Sequence, residues 1–229
     1  MPFLYWQGRR VRRKVGRLPD AEGATAGKFG EFTETINLLA IGESTVAGVG
    51  ASNHAEALGG QLGKYLSLES SKSVRWQVLG ESGITVNETL ERLVPHLPDA
   101  PMDFVVIALG GNDTFKVSSP NRWRNGMTKL VEILRDKYPN GVIFLANTPR
   151  VKDFTVLPPI LKSVLWRVSL LHHENAKTLV EQFENVYYYD EAGAVADGFF
   201  SDGVHPSAHG YALWAEAMVK SLMRKMKTT

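Results

Sequence analysis

The sequence predicts an α/β domain built on one parallel sheet, and three observations predict it. Short apolar runs recur at residues 36–41, 74–79, 104–109, 142–146 and 186–189. Most of them are continuously apolar rather than alternating, which suits strands covered on both faces. Segments with helical periodicity separate them, and alternation of strand and helix argues for helices on both faces of a parallel sheet.

Each element has its own justification. The first helix is expected over about 55–66 and the second over about 86–94, where Pro95 stops it. Pro120 suits the opening turn of a third that runs to about Tyr138. A fourth spans about 161–183, with Leu161, Leu165, Val168, Leu179 and Phe183 on one stripe. The last begins near Pro206 and carries Tyr211, Trp214, Met218, Leu222 and Met226 at helical spacing. Residues 1–34 read as a basic N-terminal arm and connector, and residues 35–229 as a single domain.

Composition sets the outer bounds. A chain of 229 residues with 44% hydrophobic and 22% charged content is long enough for one full core. A net charge of +2 implies no nucleic-acid partner for the whole chain. Cysteine is absent, which excludes disulfides, thiolate metal sites and a cysteine nucleophile. The arm reads Met1-Pro2-Phe3-Leu4-Tyr5-Trp6 and then turns basic at Arg9, Arg10, Arg12, Arg13, Lys14 and Arg17. A signal peptide places its charge before a longer apolar segment, so no cleavable signal is expected. The expectation is a cytoplasmic protein. A peripheral contact of the arm with anionic membrane stands beside a plain solvated arm as an open reading.

Four strings carry chemistry. Gly42-Glu43-Ser44 follows the first strand and Gly80-Glu81-Ser82-Gly83 the second. Gly110-Gly111-Asn112-Asp113 follows the third, and Asp202-Gly203-Val204-His205 precedes the last helix. The first three fall at the carboxyl edge of the sheet, where open α/β sheets bind ligands. Ser44 leads into a small-residue turn that leaves space above it, which makes it the better nucleophile. Ser82 precedes Gly83, whose bare backbone N–H suits an oxyanion donor. Asn112 offers a neutral side-chain donor, while Asp113 is expected to organise its loop. Asp202 lies three residues before His205, close enough to orient the imidazole as general base.

Other residues fare differently. Neither Gly-Glu-Ser string has glycine at the last position of Gly-x-Ser-x-Gly, so the nucleophile elbow of α/β-hydrolases is unsupported. His172 falls on an apolar stripe, whereas His173 and Glu174 look solvated. His205 and His209 lack an evident third ligand, so no metal is expected. The apolar, proline-stiffened stretch with Phe154, Val156, Leu157 and Ile160 is a candidate acyl pocket.

Together these strings resemble the SGNH, or GDSL, hydrolase superfamily, closest to its small bacterial esterase, lysophospholipase and thioesterase branch. The resemblance runs from about Asn37 to the last helix. It implies a flavodoxin-like three-layer fold with a five-stranded parallel sheet. It also implies a Ser44–His205–Asp202 triad and an oxyanion hole from Ser44, Gly83 and Asn112, with no cofactor. Glu43 departs from the pattern, which has aspartate before the nucleophile. The expected activity is hydrolysis of short- to medium-chain acyl esters through an acyl-enzyme. Acyl transfer or carbohydrate and lipid deacetylation would use the same triad. A phosphate, nucleotide or membrane-surface binding module is the non-enzymatic alternative, although the Gly-Lys-Ser/Thr of a phosphate loop is missing.

Overall fold

Residues 35–42 form the central strand because Ile36, Leu38, Leu39, Ala40 and Ile41 supply apolar side chains to both of its faces. A computed structural model describes residues 8, 10, 18–191 and 195–228. Arg9, Arg12, Arg13, Lys14, Arg17 and residues 1–7 of the basic arm lie outside the described residues.

Six strands make one sheet: β1 (Ala26–Phe29), β2 (Thr35–Gly42), β3 (Ser73–Gly80), β4 (Phe104–Ala108), β5 (Val142–Leu145) and β6 (Val186–Tyr188). Their order is β1-β3-β2-β4-β5-β6. The five expected strands pair in parallel, and β1 joins β3 antiparallel at the edge. That sixth strand lies within residues 1–34, the stretch read from sequence as arm and connector. Its sequence, Ala-Gly-Lys-Phe, is largely exposed and has too little apolar content to stand out. Gly27 is needed there, since a Cβ would lie 2.7 Å from the Trp76 ring of β3.

The helices are α1 (Leu58–Ser70), α2 (Val86–Arg92), α3 (Gly111–Phe115), α4 (Pro120–Lys137), α5 (Pro159–Val180) and α6 (Ala208–Thr228). Two cores flank the sheet. Leu39 and Ile41 join Val105, Ile107, Leu130 and Leu179 on one side, under α2, α4 and α5. Leu38 and Ala40 join Val106, Phe144, Leu62, Met218 and Leu222 on the other, under α1 and α6. Alternate residues of β2 thus serve opposite cores, which is why the run looked continuously apolar.

Boundaries shift slightly from the expected ones. Helix α1 starts at Leu58 because Glu56 and Ala57 hydrogen-bond to Asn53 in a preceding turn. Helix α2 starts at Val86, after Thr85, whose side chain and Glu88 form a reciprocal cap. His172 is fully buried and stacks on Trp123 at 4.9 Å, as its stripe position implied. His173 is not solvated as expected, for its Nδ1 lies 2.7 Å from the Tyr188 hydroxyl in a half-buried pair. No described helix is long and apolar enough to cross a membrane.

Candidate active site

The chain runs from β2 outward to β3, then crosses back to β4 on the other side of β2. The carboxyl ends of β2 and β4 therefore form the topological switch point where such sheets place ligands. Ser44 lies two residues beyond β2, and Asn112 lies four beyond β4.

Beyond β2 the backbone curls into a tight turn. Val46 and Ala47 N–H both donate to the Glu43 carbonyl, and Val49 N–H donates to the Ser44 carbonyl. Ser44 is left half-buried at the floor of a cavity of about 1740 Å³. Gly42 cannot be larger, since a Cβ would meet the Ala108 carbonyl at 2.1 Å.

The histidine loop closes against that turn. Ser201 N–H donates to the His205 carbonyl and Ser207 N–H to the Phe199 carbonyl, which makes a narrow hairpin. Within it Asp202 Oδ1 accepts from the backbone N–H groups of Val204 and His205 at 2.9 and 2.7 Å. Asp202 Oδ2 lies 2.7 Å from His205 Nδ1. Gly203 makes this possible with φ of +86°. Two contacts dock the hairpin on the serine turn. The Tyr211 hydroxyl donates to the Val49 carbonyl at 2.7 Å, and a Cβ on Gly50 would lie 2.2 Å from the Pro206 carbonyl. Ser44 and His205 thus line one cavity, without a direct hydrogen bond between them among the described residues.

The Asp202 carboxyl is held below the usual aspartate range. Burial opposes its charge, but the hydrogen bonds from the His205 side chain and backbone outweigh that. The carboxylate can therefore fix the imidazole with Nδ1 protonated and leave Nε2 to accept a proton.

The oxyanion candidates separate into two kinds. Gly83 has φ of +88°, and nothing lies within 4 Å of where its Cβ would be. Among the described residues, neither Ser44 N–H nor Gly83 N–H donates to a protein acceptor. Asn112 differs. Its side-chain Nδ2 donates to Glu43 Oε2 and, at 3.1 Å, to the Ile84 carbonyl. Both neighbours are acceptors, so the amide orientation is fixed and both its N–H groups are engaged.

Glu43 is the residue whose role was unreadable from sequence. It is 6% exposed and reaches across to the start of α3. Its Oε1 accepts from Gly111 N–H at 2.6 Å and its Oε2 from Asn112 N–H at 2.8 Å. Burial pushes its carboxyl up to about 7, against the pull of those backbone bonds. Asp113 plays its expected loop-organising part, since its Oδ2 accepts from Val86 N–H at the start of α2.

The acyl-pocket candidates divide. Phe154 and Leu157 line the cavity. Val156 and Ile160 are not in its wall. Val156 lies against Gly203, and Ile160 is 58% exposed at the start of α5. Adjacent residues in that stretch cannot all face one way, so a contiguous apolar string overstates the pocket. The sequence reading missed Phe115, Phe199 and Phe200, which complete the wall. Phe154 stacks on Phe115 at 6.1 Å and meets Phe200 edge-on at 5.6 Å. They come from three distant segments and share no local pattern. Among the described residues no group of three metal-ligating side chains gathers anywhere.

The chain matches the model of the GDSL-like lipase/acylhydrolase family over residues 40–213. No curated protein matches it. Among solved structures it is similar to the psychrotrophic esterase EstA from Pseudoalteromonas sp., at 20% identity and a TM-score of 0.63, covering 83% of this chain and 98% of that one. A Clostridium thermocellum family 3 carbohydrate esterase gives 19% identity and a TM-score of 0.63, covering 84% and 99%. TesA gives 20% identity and a TM-score of 0.62, covering 82% and 98%.

Proposed function

The chain belongs to the GDSL-like lipase/acylhydrolase family, and from that premise we propose that it is a serine esterase with Ser44 as nucleophile. His205 Nε2 takes the Ser44 proton while Asp202 holds Nδ1 and stabilises the imidazolium. Ser44 Oγ attacks the ester carbonyl, and the oxyanion forms against the Ser44 and Gly83 N–H groups. Collapse breaks the acyl–oxygen bond, and the His205 proton leaves with the alcohol. Water, deprotonated by the same imidazole, then releases the acid and restores Ser44.

The observation that carries this reading is that the bonded Asp202–His205 pair and Ser44 line one cavity. The wall of Phe115, Phe154, Leu157, Leu161, Leu165 and Phe200 favours an acyl chain of medium length over an acetyl group. That points to ester hydrolysis with a lipid-like acyl donor rather than carbohydrate deacetylation.

Turnover of a p-nitrophenyl ester series by the wild type and Ser44→Ala tests the proposal. The variant is expected to lose at least about a thousandfold in kcat. Unchanged turnover would remove Ser44 from the mechanism.

A further inference from the structure

Glu43 has no part in the triad, yet it is buried beside the nucleophile, and its carboxylate is bonded to the loop that carries Asn112. Three N–H donors converge on its carboxylate, two from the backbone of Gly111 and Asn112 and one from the Asn112 side chain. The fit is close, since a Cβ on Gly111 would lie 2.8 Å from Glu43 Oε1. The second N–H of the Asn112 amide is held by the Ile84 carbonyl. An amide has two N–H donors, so none remains for an oxyanion in this arrangement.

We propose that Glu43 is a positioning residue that governs whether the Asn112 amide is available to the oxyanion. The inference rests on the esterase reading of the site. With Glu43 ionised, its Oε2 retains the amide, and its negative charge also disfavours an oxyanion nearby. With Glu43 protonated, the carboxyl loses an acceptor site and its charge. The amide then turns from Glu43 toward the tetrahedral oxygen while Ile84 still holds its other N–H. Glutamate suits this task because its extra methylene, relative to aspartate, lets one carboxylate span both the loop backbone and the side-chain amide. The charged groups acting on Glu43 are Asp113, which disfavours its ionisation, and His205, which favours it. Burial is the largest influence and places the change near neutral pH.

The test is the kcat ratio of wild type to Asn112→Ala on a soluble ester, measured from pH 5.5 to 9. Any pH dependence common to both enzymes cancels in the ratio. The ratio is expected to be on the order of 10² at pH 5.5, the usual loss for one oxyanion donor, and to fall to within about threefold at pH 9. In a Glu43→Gln background the ratio should become independent of pH. A ratio that stays flat in the Glu43 enzyme overturns the proposal, and that comparison needs no change at Glu43 itself. If Glu43→Gln lowers thermal stability and slows turnover equally at every pH while the ratio keeps its slope, Glu43 is only structural. Failure of the esterase reading looks different, since Ser44→Ala would then retain turnover.

Discussion

A carboxyl group at 6% exposure has lost most of its hydration, and the N–H donors around Glu43 restore only part of it. The consequence is a dependence of stability on pH. Its native titration lies near 7, above the ordinary 4.5, so the folded state binds this proton more tightly than the unfolded chain. The contribution is complete below about pH 4.5 and is lost as pH rises through about 7. Urea unfolding of wild type and Glu43→Gln should therefore diverge across that window, with the wild type losing up to about 3 kcal/mol relative to the variant. Parallel pH profiles would show that the carboxyl stays ionised throughout. Glu43 also marks the limit of legibility for single residues. Its departure from the family pattern was visible at once. Its role was not, because its partners lie 68 and 69 residues away and their approach exists only in the folded sheet.

Elements were legible where one segment contains its own explanation. The Asp202–His205 turn is such a case, since three-residue spacing and an intervening glycine suffice to place the carboxylate on both backbone and ring. Replacement of Asp202 by Asn should keep the hairpin, because an amide oxygen still accepts from the Val204 and His205 N–H groups. It should nevertheless lower kcat by about 10⁴, since Asn cannot stabilise the imidazolium or enforce the tautomer. Near-normal turnover in that variant would assign the pair a purely structural role. The same hairpin has an acid limit. The native Asp202 carboxyl titrates below its ordinary value, so its stability contribution is present above pH 3.8 and disappears as pH falls through the native value. The parallel strands and the start of α4 at Pro120 were equally readable from local pattern. Strand β1 was not, because an exposed edge strand with glycine and lysine has no apolar signal.

At the scale of the whole molecule the cavity is the least local feature. Phe115 ends α3, Phe154 follows β5 and Phe200 lies in the histidine hairpin opposite Pro206, yet their rings form one continuous wall. Topology assembles them, since all three segments leave the sheet on its carboxyl edge. The wall makes a quantitative statement about substrate. Each methylene that leaves water for an apolar surface contributes about 0.8 kcal/mol, close to a fourfold change in rate constant if fully expressed in the transition state. Partial burial along an open cavity reduces this, so kcat/KM should rise about twofold to fourfold per methylene from acetyl toward octanoyl esters. Phe154→Ala removes the ring that contacts both other phenylalanines, and it should flatten that rise. Its acetyl-ester turnover should stay within about threefold of wild type, because a two-carbon acyl group has little apolar surface to bury. Measuring both slopes with thermal melting as a control separates pocket from fold. An unchanged slope at unchanged stability would place the acyl chain elsewhere in the cavity, toward the Trp214 and Asn147 side, where the indole N–H donates to the Asn147 side-chain oxygen at 2.8 Å.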